Sequence, residues 1–239
     1  MGMDTGMHTP INTEFDDPGA LLRLMQLISP SLPVGGFTYS QGLEWAVECG
    51  WVNSPAAFAR WQQQLIDDQL SCLDWPLLKR LYQCARERDD AGFARWAAMA
   101  VSCRETHELR LEEQQRGQAL VRLMAQWPSL PLTADRLPAL QQSGLAALAW
   151  LGCQWRIPLE PLALGFGYST LEGAVMAGLK LVPFGQQTAQ GLLAALAATL
   201  PAAWQRAASL EDAALGGSFP LQAIASACHE TQYSRLFRS

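Results

Sequence analysis

Apolar residues recur at three- and four-residue spacing along almost the whole chain, which is the pattern of helices with one buried face. The first such stretch carries Leu21, Leu22, Met25 and Ile28, and it stops at Pro30. No stretch shows sustained alternation of apolar and polar residues, the pattern of a half-buried strand. The sequence therefore predicts an all-α fold, a single-domain helical bundle of about ten helices packed around one core.

Capping residues and prolines predict where the helices begin. Asp17 and Ser54 each precede a proline, the arrangement of an N-cap followed by the first helical residue. Asp74 is predicted to cap another helix, and Ser102 with Glu105 has the spacing of a capping box. Further helices are predicted over 41–49, 89–101, 102–127, 139–155, 160–182, 186–200, 202–210 and from 221 onward.

The ends of the chain differ from this pattern. Residues 1–16 have neither a helical repeat nor the basic and apolar segments of a signal peptide, so we predict a disordered lead-in. Residues 17–239 are predicted to form one helical domain. The prolines between 128 and 138 allow a boundary there, but apolar helices on both sides favour a continuous bundle. From about residue 216 onward we predict a C-terminal docking tail.

Composition limits the classes of function. Apolar residues make up 49% of the chain and charged residues 16%, below the usual ~25%, so part of the surface is predicted to contact other proteins. The net charge of −5 argues against a nucleic-acid partner. The six cysteines form no CxxC pair and are interpreted as reduced core thiols of a cytoplasmic protein. The apolar segment 159–184 contains four glycines and three charged residues, which favours a buried helix over a membrane span.

A search for chemistry finds no familiar catalytic or cofactor motif. The chain has no HExxH, no paired CxxC, no phosphate-binding loop and no GxSxG elbow. We therefore predict no catalytic residue, no cofactor and no fixed metal site. Glu105, His107 and Glu108 are clustered, and we interpret them as a solvated helix face, with a transient nickel or zinc site as the alternative.

Three surfaces are predicted to contact partners. The first is the turn 32–41, where Phe37 and Tyr39 are either interface anchors or core. The second is the glycine-rich helix with Tyr168 and Lys180, whose lysine either faces solvent or pairs with a carboxylate such as Glu172. The third is the tail, which either folds back onto its own domain or docks into a partner; its candidate residues are Tyr233, Arg235, Leu236 and Phe237.

Four segments resemble the urease accessory protein UreF family, namely residues 21–44, 104–110, 179–193 and 234–239. The resemblance implies an all-α homodimer without catalytic activity of its own. It implies binding to UreD, called UreH in some species, and recruitment of the GTPase UreG. It also implies support for nickel insertion into apo-urease, with coupling to the UreG nucleotide cycle and an internal route for the ion.

The resemblance also implies roles for single residues. Phe37 and Tyr39 match the family's UreG-facing turn, and Tyr168 matches a tyrosine at the dimer interface. Arg235 matches an arginine tied to UreG recruitment, and Lys180 matches a lysine that recurs before the VP motif. The alternative class is an α-helical metal-binding protein or small-molecule enzyme unrelated to urease. Ferritin-like sites need Glu-x-x-His pairs, a spacing that neither the 105–107 nor the 229–230 stretch has.

Overall fold

The structure, a computed structural model, describes residues 17–35, 38–127 and 130–238. Within these ranges it contains twelve α-helices, a π-helical segment, a short 3₁₀ helix and no strand. The all-α prediction is confirmed. The helices are α1 Pro18–Ile28, α2 Leu43–Glu48, α3 Pro55–Leu65, α4 Trp75–Glu87, α5 Asp90–Ser102, α6 His107–Met124, α7 Leu137–Gln142, α8 Gly144–Gln154, α9 Leu159–Leu181, α10 Gln186–Ala197, α11 Leu200–Ala208 and α12 Pro220–His229. The π segment is Ile66–Asp74, and the 3₁₀ helix is Asp212–Ala214.

Side-chain caps set several helix starts. The carboxylates of Asp17 and Asp89 and the hydroxyl of Ser54 accept hydrogen bonds from backbone N–H groups in the first turns of α1, α5 and α3. The predicted caps Asp17 and Ser54 are confirmed, and of the two candidates for the start of α5, Asp89 and Asp90, Asp89 is the cap. The predicted helix over 139–155 is two helices, because Ser143 is extended and its hydroxyl caps α8. An N-cap inside an apolar run is hard to recognise from periodicity, since both flanking helices are buried.

Two predicted caps are wrong. Ser102 is the last residue of α5, and Thr106 caps α6 by accepting from a backbone N–H. Asp74 makes no cap hydrogen bond, because α3 continues through the π segment into α4. Within the π segment, the Ser71 hydroxyl donates to the carbonyl of Ile66, five residues earlier, at 2.8 Å.

The core is continuous and centres on tryptophans. Trp75, Trp150 and Trp204 are at most 2% exposed, and the indole N–H of Trp75 donates to a carbonyl of α9 at 2.8 Å. Helix α9 approaches its neighbours closely through glycines. A Cβ at Gly167 would lie 2.6 Å from the ring of Trp75, and one at Gly178 would lie 2.8 Å from a phenylalanine ring of α3. Most of the buried apolar residues, from Ala20 in α1 to Phe237 near the C-terminus, belong to one cluster.

Helix α9 is long and apolar enough to cross a membrane by length and composition. In the structure it contacts α1, α2, α3, α4, α10 and α11, and 44% of its most apolar window is buried inside the protein. These contacts are those of a core helix, as the glycines and charges of the segment predicted.

All six cysteines are free thiols. Cys84 is buried, four others are partly buried, and Cys49 is exposed at the end of α2. The prediction of core thiols therefore holds for Cys84 and is wrong for Cys49. Burial raises the pKa of the Cys84 thiol, and the nearby carboxylate of Asp89 raises it further.

Candidate functional site

The residues after α12, which we call the tail (230–238), fold back over α2 and α6. The backbone N–H groups of Leu236 and Phe237 donate to the two carboxylate oxygens of Glu44, at 2.6 and 2.9 Å. Glu44 lies in the first turn of α2 and is 8% exposed. Charge-assisted hydrogen bonds are stronger than neutral ones, so one buried carboxylate fixes the path of the tail.

A second carboxylate and a histidine complete this anchor. His229, at the end of α12, is fully buried; its Nδ1 is 2.8 Å from Oε2 of Glu108, and its Nε2 is 3.3 Å from Oε2 of Glu44. The guanidinium of Arg235 donates to Oε1 of Glu108 at 2.8 Å. We call Glu44, Glu108 and His229 the Glu-His-Glu cluster. It joins α2, α6 and α12 to the tail.

The turn before α2 also contacts the tail. The backbone N–H of Arg238 donates to the carbonyl of Thr38 at 2.8 Å. Tyr39 is 8% exposed, its hydroxyl donates to the side chain of Gln115, and burial raises its pKa. Its ring therefore supports the turn from inside, and its role as a UreG contact stays a prediction. Phe37 lies outside the described residues.

Lys180 contacts the tail from α9. Its ammonium lies 5.3 Å from the centre of the Phe237 ring, within cation–π range. Phe237 is 6% exposed and belongs to the core cluster. The two sequence-based alternatives were a solvent-facing lysine and a pair with Glu172; the lysine is exposed, but its ammonium covers the ring of Phe237. The helix and tail surfaces predicted separately therefore meet at this point.

The tail presents an outer face as well as an anchored one. Tyr233 is fully exposed and Leu236 is 63% exposed, whereas Phe237 is buried. The side chain of Arg235 is 40% exposed even though its guanidinium is bonded to Glu108. Of the four predicted tail residues, two are thus held against the protein and two are free to contact another molecule.

The comparisons with known proteins decide the family. A family model for UreF matches residues 52–197, more than half of the chain. Proteins named urease accessory protein UreF from Pseudomonas putida, Pseudomonas entomophila and Blochmanniella pennsylvanica are 59%, 59% and 57% identical over 220 residues. The aligned region covers 92% of this chain and 98%, 98% and 96% of theirs. The chain belongs to the UreF family.

Membership of the UreF family gives this chain a role in urease maturation and confirms the resemblance seen in the sequence. One detail of the 104–110 stretch is corrected. Glu105 and His107 are exposed, but Glu108 is only 7% exposed and belongs to the Glu-His-Glu cluster. A single solvated face is therefore the wrong interpretation, because Glu105 precedes α6 and does not share a helix face with Glu108.

In this UreF-family chain, Arg104 forms a second buried ionic group, which we call the Arg104 bridge. Its guanidinium lies 2.8 Å from Asp74 and 3.1 Å from Glu113, and all three side chains are less than 10% exposed. Burial raises the pKa of Asp74, and the arginine only partly offsets it. Burial also favours the neutral form of Glu113, but the charge of Arg104 and hydrogen bonds from Ser143 and Leu145 outweigh it and lower the pKa.

Beside the Arg104 bridge lies a cavity of about 100 Å³. Its polar wall includes the bridge, Glu112 and Arg116, and its apolar wall comes from α1, α6, α8 and α9. Burial raises the pKa of Glu112 despite its ion pair with Arg116 at 2.8 Å. Within the described ranges, no group of three or more His, Cys, Asp or Glu side chains is arranged to hold a metal ion. The carboxylates of the polar wall are engaged by Arg104 and Arg116.

Tyr168 stands apart from the tail. It is 38% exposed on α9, twelve residues before Lys180, which corresponds to about 18 Å along a helix. Its assignment to a dimer interface stays a prediction. Glu44 and His229, which anchor the tail, were not predicted from the sequence. The available signal was an ionisable side chain inside an apolar helical pattern, which needs a buried partner.

Proposed function

We propose that this UreF-family chain is a cytoplasmic, non-enzymatic scaffold for urease maturation. In this proposal it binds UreD (UreH), and the complex recruits the GTPase UreG and supports nickel insertion into apo-urease. The family role in urease maturation removes the alternative of a protein unrelated to urease.

The observation that supports the scaffold role most directly is the docked tail. Anchored groups hold its backbone in one path, while Tyr233 and Leu236 project from it. A preorganised segment loses little conformational entropy when it binds. More of the free energy gained by burying its exposed apolar side chains therefore remains as binding affinity. Aromatic and arginine residues are enriched at such contacts. This arrangement favours a protein partner for the outer face.

The experiment is recruitment of purified UreG by the full chain together with UreD. Arg235→Ala removes the tail's side-chain bond to Glu108, and a truncation after Gln232 removes the outer face altogether. We expect both variants to lose UreG recruitment while keeping the helical fold by circular dichroism. Arg238→Ala is the matched control, because its side chain is exposed and its anchor is a backbone N–H. Recovery of UreG at wild-type yield by the truncated chain would refute the tail assignment.

Homodimerisation is the second element of the proposal. A stable contact buries roughly 800 Å² of surface on each partner. The low fraction of charged residues in this chain is consistent with an apolar surface area of that size. Exposed Tyr168 and Met176 on α9 and Leu22 and Met25 on α1 provide apolar surface on two neighbouring helices. Regulation of GTP turnover by UreG is a finer version of the same scaffold role, and turnover with and without this chain tests it.

A further inference from the structure

The Glu-His-Glu cluster contains a charge arrangement that the scaffold role alone does not require. His229 is fully buried, and each of its ring nitrogens faces a carboxylate oxygen. A neutral imidazole has one N–H donor and one lone pair, so it can satisfy only one such contact and repels the other. An imidazolium donates at both nitrogens. The geometry therefore calls for one proton more than a neutral imidazole and two carboxylates supply.

The charges around the cluster balance only with that proton. Glu44 from α2 and Glu108 from α6 contribute two negative charges, and Arg235 from the tail contributes one positive charge. A protonated His229 brings the sum to zero. Glu230 also approaches, but its carboxylate accepts from the backbone N–H of Glu108 at 3.2 Å, and Glu230 is only partly buried, so solvent screens its charge. An unbalanced charge in this buried site would be costly.

The tail is bonded to two carboxylates, and His229 contacts both of them. Glu44 accepts the two tail N–H groups and also contacts Nε2, while Glu108 accepts Arg235 and also contacts Nδ1. We propose that His229, as an imidazolium bridging Glu44 and Glu108, is the positioning residue that keeps the C-terminal tail docked. It contacts no partner itself. Docking of the tail by His229 does not depend on the proposed function; only the use of the docked tail for UreG recruitment rests on it.

The test measures tail docking directly in the full chain. In His229→Gln we expect the amide protons of Leu236 and Phe237 to exchange roughly ten- to hundredfold faster with solvent. Loss of the imidazolium weakens the charge-assisted hydrogen bonds of the tail, and these bonds must break in the local opening that permits exchange. Amides of the α4 core should keep their wild-type rates. His107→Gln is the matched control, because it makes the same substitution at an exposed histidine beside Glu108. Unchanged exchange at Leu236 and Phe237 would overturn the proposal.

A charge-balance rescue separates positioning from simple packing. In the double variant His229→Gln with Glu108→Gln, the remaining charges of Glu44 and Arg235 cancel. The amide oxygen at position 108 can still accept from Arg235, and both oxygens of Glu44 still accept from the tail. We expect slower exchange of the tail amides in the double variant than in His229→Gln. A packing role predicts additive damage, so faster exchange in the double variant would overturn the proposal.

Nitrogen-15 spectroscopy of the unmodified protein gives a measurement that does not depend on any variant folding. Two protonated ring nitrogens at His229 support the proposal, and one protonated nitrogen overturns it. UreG recruitment then distinguishes this inference from the proposed function. Fast tail exchange with normal recruitment in His229→Gln would support the anchor and contradict the use of the tail for UreG.

Discussion

Replacing Arg104 by methionine is expected to destabilise the fold strongly. Methionine keeps much of the apolar stem but removes the guanidinium that contacts Asp74 at 2.8 Å and Glu113 at 3.1 Å. Two carboxylates would remain in an interior that is closed to solvent, because each is less than 10% exposed. Of the two carboxyl groups, Asp74 is the one that binds a proton more readily, because burial raises its pKa even with the arginine in place.

The magnitude follows from the burial of the Arg104 bridge. Breaking a buried ion pair by removing one partner costs about 3–5 kcal/mol, because an uncompensated charge remains. For a protein of this size each kcal/mol corresponds to roughly 2–4 °C in the melting temperature. We therefore expect the melting temperature to fall by about 6–20 °C. Protonation of Asp74 in the variant would keep the loss toward the lower end of this range.

Thermal and urea unfolding followed by circular dichroism provide the assay. Arg206→Met is the matched control, because Arg206 and Asp67 are also 2.8 Å apart but are 59% and 41% exposed. An exposed pair contributes about 0–1 kcal/mol, so that control should shift the melting temperature by at most about 4 °C. Equal shifts in Arg104→Met and Arg206→Met would show that burial of the bridge does not set its energy.

Removing all three charges tests the reasoning further. In Arg104→Met combined with Asp74→Asn and Glu113→Gln, no buried charge lacks a partner. The amide at position 113 can still accept from Ser143 and Leu145, which donate to the native carboxylate at 2.7 and 2.9 Å. We expect this variant to recover a substantial part of the lost stability. A triple variant less stable than Arg104→Met would refute the uncompensated-charge argument.

Two further predictions concern the cavity and the dimer. Burial raises the pKa of Glu112, so the folded chain binds a proton at this carboxylate more tightly than the unfolded chain does. The stability gained from this proton is present below the pKa of the unfolded chain, and it is lost as the pH rises from that value through the pKa of the folded chain. Urea midpoints should therefore fall less between about pH 4 and about pH 8 in Glu112→Gln than in wild type, with exposed Glu105→Gln as control; an equal fall would contradict this. Tyr168→Asp is expected to convert the proposed homodimer to a monomer by light scattering, while Tyr233→Asp keeps it; an unchanged mass for Tyr168→Asp would remove Tyr168 from the interface.

The fold was largely predictable because its signals are local. Apolar spacing and caps such as Asp17 and Ser54 depend on neighbouring residues only, and they give the helix order without tertiary information. The errors occur where a local signal competes with a distant partner. Asp74 has the sequence context of an N-cap, but Arg104, thirty residues later, takes its carboxylate into the interior.

The candidate site was predictable only in part. The turn, the lysine and the tail each appeared in the sequence as an unusual segment, and the structure brings the three together. Their mutual contacts were not predictable, because Glu44 and His229 lie 185 residues apart in the chain. Periodicity assigns a residue to a buried or exposed face but not to a partner on another helix. For this reason buried Phe237 and Tyr39 could not be separated from exposed Tyr233 and Leu236.

Under the proposed function, the docked tail couples partner binding to the stability of the bundle. Its two anchors, Glu44 and Glu108, lie on α2 and α6, and His229 joins them from α12. A partner that binds the outer face of the tail only when it is docked therefore also favours the native spacing of these helices. By linkage, such a ligand at a hundred times its dissociation constant adds about 2.7 kcal/mol to the stability of the structure it requires. Under the proposed function, UreG binding and tail protection therefore rise together, since both draw on the same contacts.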